Sequence, residues 1–377
     1  MAQSEITASA PGRICLFGEH QDYLGLPVIA MAVDRRFRIT YRPGAGSRFL
    51  IHTPDLPDRA AAELDIHAEE PRSNDDYCWG IARVLLEEGF RLPKGGELVF
   101  RSDIPFRAGC SSSSAMSAAW MRLLIEIGEH PDRASYVNHP ERVARLVYRG
   151  EKELFQGSGG MMDQYSCYLG GLVYVFRRAN ESLEGAVEYG VEHLPCVPED
   201  LILIDSGQPK DTQGVLSSVS GRARAAVESA SRVWPDFRLD ASTISEFDRH
   251  VSEEALPSVT RAIVRDHLIN RDLCQRGLAM LRSTVVPEEM GTMLNEEHRI
   301  LSQTLGVSTP RIDELQKLCN QSGALGGKIN GSGGGGTLFT FAPGSVAAVQ
   351  AALDEAGARH HKITLAPGAR IEKPFVS

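Results

Sequence analysis

The sequence predicts an α+β fold in two domains. Strand-like and helix-like stretches mix without the regular βαβ rhythm of a doubly wound sheet. The 377 residues suffice for two domains of ordinary size. No internal repeat points to a solenoid or propeller.

The elements follow in order. RFRITYRP and RFLIHTP alternate like strands of an early antiparallel sheet. DDYCWGIARVLLEEGF spaces its apolar residues as a helix does. GGELVFRSDIP reads as a strand entering a serine loop, and a helix follows to about residue 128. PERVARLVYRGEKELFQG is a second amphipathic helix, and GGLVYVFRR and LILIDSG are strands. Residues 211–303 carry mostly helical patterns. GALGGKINGSGGGGTLFTFAP is a glycine loop feeding a strand, SVAAVQAALDEAG a helix, and HHKITLAPGARI a closing strand. A boundary near residue 195, around CVPED, divides the chain into domains 1–195 and 196–377.

Composition excludes several classes. The formal net charge is −9 and no basic stripe offsets it, which argues against nucleic-acid binding. No apolar run approaches membrane-spanning length, and MAQSEITASAPGR lacks the pattern of a signal peptide. Seven scattered cysteines with no CxxC pair suggest reduced thiols in a cytoplasm rather than a disulfide or zinc framework. Cys110 reads as a small residue filling a tight turn.

Four stretches carry chemistry. IPFRAGCSSSSAMSAAW places four serines between a glycine and a run of helix formers. Serine suits the loop or cap before a helix better than its interior. Free N–H groups and the positive end of the helix dipole then meet at one spot, which is an anion-binding device. The second stretch, KINGSGGGGT, lets backbone N–H groups approach a ligand with no Cβ in the way. A flexible turn would have the same composition. Neither loop matches G-x-x-x-x-G-K-[ST].

In the third, APGRICLFGEHQDYLG, a strand ends at Gly18 and Glu19, His20, Gln21, Asp22 and Tyr23 follow. Hydrogen-bonding side chains directly after a strand can grip a polyhydroxylated ligand, or simply form a solvated turn. In the fourth, GEKELFQGSGGMMDQYSCYLGG, a helix bearing Glu151 and Glu153 breaks at glycines before Asp163 and Gln164. A carboxylate opposite a phosphate loop could accept a substrate hydroxyl proton or hold Mg²⁺.

Together, and in this order, the four stretches resemble the GHMP kinases, and galactokinases above all within them. PGRICLFGEHQDYLG resembles the first family motif, Pro105 to Ala115 the phosphate loop, Gly160 to Gln164 the GxMDQ segment, and KINGSGGGG the third motif. MLNEEHRILSQTLGVSTPRIDELQKL resembles the stretch before that third motif. The resemblance implies a two-domain GHMP kinase fold with its active site in the inter-domain cleft. It implies Asp163 as catalytic base with Arg13 beside it and the transferring phosphate. Glu19, His20, Asp22, Tyr23 and Gly160 would bind the sugar. Gly109, Ser111, Ser112, Ser113, Ser114 and Ala115 would wrap the ATP phosphates, and Ser113 and Glu151 would hold Mg²⁺. The implied partners are a monosaccharide and ATP, with no nucleic acid, no membrane and no particular oligomeric state.

The chain departs from the galactokinase pattern GEHTDYNGG at Gln21, Leu24 and Leu26. SSVSGRAR puts Val219 or a neighbour where galactokinases carry a sugar-touching tyrosine. A sugar hydroxyl left without its partner costs about 1–3 kcal/mol, one to two factors of ten in affinity. Lys210 could face an acidic sugar or sugar phosphate, or be an ordinary surface lysine. The expected activity is phosphorylation of a monosaccharide hydroxyl, the anomeric one of galactose or a relative. A kinase for another small alcohol such as mevalonate, and a non-catalytic sugar sensor, are the alternatives.

Overall fold

The computed structural model describes residues 5–56, 60–105, 109–157, 159–178, 188–209 and 212–372. Lys210 and residues 106–108 of the serine loop lie outside the described residues.

The chain opens with two long strands, β1 (Ile6–Phe17) and β2 (Val28–Pro43), then the short β3 (Phe49–His52) and β4 (Ala62–Leu64). Helix α1 (Tyr77–Glu87), β5 (Gly96–Ser102) and α2 (Ser112–Ile127) follow. Next come α3 (Arg133–Asn138), α4 (Pro140–Glu151), α5 (Met162–Leu169), β6 (Leu172–Arg177) and β7 (Tyr189–His193). The second half runs β8 (Leu201–Asp205), α6 (Thr212–Val233), α7 (Ile244–His250), α8 (Ser258–Ser283), α9 (Pro287–Arg299) and α10 (Pro310–Gln321). It closes with β9 (Gly326–Asn330), β10 (Thr337–Phe341), α11 (Val346–Glu355), β11 (Arg359–Ile363) and β12 (Arg370–Ile371).

Two sheets organise these elements. The first runs β12-β1-β2-β5-β3-β4, and the near end of β2 pairs instead with β6, which pairs with β7. The second is antiparallel in the order β11-β8-β10-β9. The mixed α+β architecture is as expected. RFRITYRP and RFLIHTP do share a sheet, but β5 lies between them and β3 runs parallel to it. The second sheet opens with β8, just past residue 195, yet β12 returns to pair with β1. The last strand therefore belongs to the first sheet.

Helix α2 explains why the site forms where it does. Ala115, Ala118 and Ala119 are buried, and such small side chains let the helix lie close to β1. Trp120 is buried below them, edge-on to Phe49, and its indole N–H donates to the Cys78 carbonyl at 2.9 Å. Burying such a ring stabilises by roughly 2–3 kcal/mol. The start of α2 is thereby fixed at the end of the serine loop. Gly80 and Gly150 let α1 and α4 meet closely, since a Cβ on Gly80 would lie 2.2 Å from the Gly150 carbonyl oxygen. That approach fixes Glu151, the last residue of α4.

Candidate active site

The turn after β1 is held from beneath by buried charge. Gly18 N and Glu19 N donate to Glu297 Oε1 at 3.0 and 2.8 Å. Glu19 Oε2 accepts from Lys328 Nζ at 3.2 Å and from Gly331 N at 2.9 Å. Lys328 is wholly buried and also stands 3.6 Å from Glu297 Oε1. Burial opposes ionisation of Glu19, but the charges of Lys328 and Arg13 outweigh it and hold the carboxyl below its usual range. Burial opposes the charge on Lys328 as well, and Glu297 and Glu19 keep it protonated. Glu19 thus faces the third glycine motif, where sequence reasoning had it gripping sugar. Lys328, Glu297 and Asn270, which donates to the Glu19 carbonyl at 3.0 Å, went unnoticed in the sequence.

Arg13, on β1, reaches Asp163 with Nε at 2.8 Å and Nη2 at 2.6 Å, both on Oδ1. Its Nη1 donates to the Gly109 carbonyl at 2.6 Å. Burial disfavours the guanidinium charge, but Asp163 and Glu19 more than compensate and raise its pKa. Asp163 sits in the first turn of α5 with 31% of its side chain exposed. Asp22 faces the same helix start. Its Oδ1 accepts from Tyr23 N at 2.9 Å. Burial first, and then the Asp163 carboxylate, push its pKa up to about 6. A Cβ on Gly160 would stand 2.2 Å from Asp22 Oδ2, so the glycine makes room for this carboxylate. His20 adopts φ +61° and its Nδ1 lies 3.4 Å from the buried Tyr23 hydroxyl.

The two phosphate-type loops touch each other. The Gly109 carbonyl that Arg13 holds also accepts from Asn330 Nδ2 at 3.1 Å. A Cβ on Gly331 would come within 2.5 Å of that same oxygen. Gly331 and Gly333 to Gly336 all have positive φ, which only glycine adopts at little cost. Ser111 caps α2 in the left-handed conformation and makes no side-chain cap bond. Its hydroxyl is buried without a hydrogen-bond partner among the described residues. The first-turn N–H groups of Ser112, Ser113 and Ser114 have no acceptor within the helix, whereas Ala115 N already donates to the Ser111 carbonyl at 2.8 Å. An uncapped helix start beside a buried, unpartnered hydroxyl fits an anionic phosphate. Cys110 is buried within this loop, as a turn-filling residue should be.

The hydroxyl against Glu151 belongs to Ser114, where the sequence pointed to Ser113. Ser114 Oγ donates to Glu151 Oε1 at 2.9 Å, and Gln164 Nε2 donates to Oε2 at 3.0 Å. Ser113 is exposed at the helix start. The cause is helical: one residue turns a side chain by about 100° around the axis. A buried carboxylate with a hydroxyl beside it is a hard-oxygen donor set, of the kind Mg²⁺ accepts alongside phosphate oxygens and water.

Beside Asp22 and Gly160 lies a cavity of about 470 Å³, with Tyr23, Leu24, Tyr148 and Tyr189 in its walls. Helix α6 presents Arg224 and Val227 to it. Val219 is buried instead in the packing beneath α6. Gln21 is also turned inward, donating to the Pro27 carbonyl at 2.5 Å. Of Gln21, Leu24, Leu26 and Val219, Leu24 is the one that lines the cavity, and from SSVSGRAR it is Arg224 that does so.

Residues 76–171 match the GHMP kinases N-terminal domain and residues 286–359 the GHMP kinases C-terminal family. Residues 1–43 match the galactokinase galactose-binding signature. A mevalonate kinase of Thermococcus sibiricus is 27% identical over 363 residues, covering 93% of each chain. A galactokinase of Roseiflexus sp. is 26% identical over 340 residues, covering 89% of this chain and 83% of its own. The crystal structure of Lactococcus lactis galactokinase complexed with galactose superposes with a TM-score of 0.79 at 18% identity, over 98% of this chain and 95% of that one. The Methanococcus jannaschii mevalonate kinase structure gives 0.65 at 17% identity, over 97% and 100%. No helix among the described residues is long and apolar enough to cross a membrane. The family consists of phosphotransferases with ATP as donor. With its N-terminal and C-terminal matches in order and the fold shared along nearly the whole chain, this protein belongs to the GHMP kinases.

Proposed function

We propose that the protein is a cytoplasmic ATP-dependent sugar kinase that phosphorylates a monosaccharide hydroxyl, the anomeric one of galactose or a galactose-related sugar. The observation that carries the reading is Asp163, held on one oxygen by the same Arg13 guanidinium that holds the Gly109 carbonyl, with its charge felt by Asp22 of the cavity. The galactose-binding signature over residues 1–43 favours a sugar as acceptor.

Phosphoryl transfer depends on positioning and charge neutralisation. Asp163 Oδ2 makes no hydrogen bond among the described residues and is the oxygen to receive the acceptor hydroxyl. Arg13 orients the Asp163 carboxylate that takes the hydroxyl proton, and adds positive charge beside the transferring phosphate. Asp22 accepts a neighbouring hydroxyl and fixes the ring. The N–H groups of Ser112 to Ser114, the Ser111 hydroxyl and the 331–336 glycine turn would hold the ATP phosphates. Glu151 and Ser114 would hold Mg²⁺, which when bound neutralises phosphate charge. Glu19, through Lys328 and Gly331, locks the sugar-side turn to the phosphate-side turn and so sets the distance between the two substrates.

Phosphorylation of mevalonate is the second reading, favoured by the Thermococcus sibiricus relative. A panel of galactose, N-acetylgalactosamine, galacturonate, fucose, arabinose, glucose and mevalonate, with ATP and Mg²⁺, separates the two by ADP release. Turnover of a galactose-type sugar supports the first. Turnover of mevalonate alone replaces it with the second. ATP binding with no turnover of any acceptor would indicate a sensor.

A further inference from the structure

We infer that the acceptor carries an anionic group, a carboxylate or a phosphate, bound by Arg177 and Arg224 at the end of the cavity away from Asp163. The inference rests on the kinase reading above and adds the chemical class of the substrate.

Both arginines line the cavity that holds Asp22 and Gly160. They come from different elements, Arg177 from the end of β6 and Arg224 from α6. They converge on one stretch of backbone. Arg224 Nη2 donates to the Tyr23 carbonyl at 3.3 Å. Arg177 Nη1 lies over Gly25, 3.8 Å from where a Cβ would be. The Asp22 carboxylate turns the other way, toward Gly160 and the start of α5. The cavity therefore has a carboxylate end beside Asp163 and a guanidinium end beyond Tyr23.

Neither Arg177 nor Arg224 forms an ion pair among the described residues, although their neighbours do. Arg178 pairs with Glu141 at 3.7 Å, and Arg145 with Glu153 at 2.7 Å. Glu228 also lines the cavity, one helical turn from Arg224, but its carboxylate is engaged by Arg232. Two exposed guanidinium groups lining one cavity present donors suited to carboxylate or phosphate oxygens. Tyr148 and Tyr189 supply flanking walls on which a sugar ring can rest.

The test compares D-galactose, D-galacturonate and D-galactose 6-phosphate as acceptors for the wild type, Arg177→Gln, Arg224→Gln and Arg224→Lys. The wild type should prefer an anionic acceptor by at least about tenfold in kcat/KM. Each glutamine variant should raise KM for that acceptor about tenfold with kcat retained, and the lysine variant should recover part of the loss. Preference for galacturonate assigns the site to a carboxylate, and preference for the 6-phosphate assigns it to a phosphate. Galactose as preferred acceptor, with KM unchanged in the variants, overturns the inference and leaves the kinase reading intact. Thermal stabilisation by the same three sugars is read in parallel. If none is turned over, the kinase reading fails for them. The anion site then stands if an anionic sugar stabilises the wild type and not the glutamine variants, and falls if it does not.

Discussion

Arg13 grips Asp163 through a single oxygen: Nε at 2.8 Å and Nη2 at 2.6 Å both fall on Oδ1. The other oxygen makes no hydrogen bond among the described residues, and the same guanidinium holds the Gly109 carbonyl. A lysine has no planar fork with which to make these contacts. Arg13→Lys should therefore lower kcat by about a hundredfold or more while KM for the acceptor changes little. Steady-state kinetics with saturating ATP would show this. A variant altered only in KM would place Arg13 in acceptor binding instead.

Gly160→Ala should act through Asp22. The new methyl would occupy the position of Asp22 Oδ2, 2.2 Å away, and displace the carboxylate from the cavity. The affected loop is at the surface of the cavity, so the fold should persist. A loss of about a hundredfold in kcat/KM is expected, dominated by acceptor KM, with an unchanged circular dichroism spectrum. Near-normal kinetics would remove Asp22 from the binding site.

Asp22 also makes a pH prediction. Burial and Asp163 raise its pKa to about 6 from its ordinary 3.8. The folded state then binds more protons than the unfolded state between about pH 4 and pH 6. Stability contributed by this group is present below that window and lost as pH rises through it. Relative to wild type, Asp22→Asn should gain stability across this window and reach about 3 kcal/mol by pH 7. Urea melts at pH 4, 5, 6 and 7 would show the gap widen. A gap independent of pH would mean that Asp22 is not strained by its surroundings.

Lys328 is buried between Glu19 and Glu297, at 3.2 and 3.6 Å. Lys328→Met would leave the two carboxylates facing each other with Arg13 alone as counter-charge to Glu19. A loss of roughly 3–5 kcal/mol is expected, measurable by denaturant unfolding. Adding Glu297→Gln should restore part of it. An isolated Lys328→Met that is as stable as wild type would show the cluster to be dispensable.

Much of the site could be read locally. A strand ending in Gly18, a serine run before small helix formers and a glycine run between strands each declare their conformation within ten or so residues. The contacts missed are those between distant segments. Lys328 sits in GGKIN, and nothing nearby in sequence shows that Glu19 and Glu297 will close on it. The serine run fails differently. In four identical residues, pattern cannot tell which hydroxyl faces Glu151, and the helix start selects Ser114. Helix phase also decides α6, where Val219 points inward and Arg224 faces the cavity.

The most direct test of phosphoryl transfer at this site is acceptor-dependent ADP release by wild type and Asp163→Asn, with ATP affinity measured on both. The asparagine is isosteric but cannot take a proton from the acceptor hydroxyl. Loss of turnover by about a thousandfold, with ATP binding kept within a fewfold, is the expected result. Undiminished acceptor-dependent ADP release in Asp163→Asn would contradict the assignment of Asp163 as the group that receives the acceptor hydroxyl.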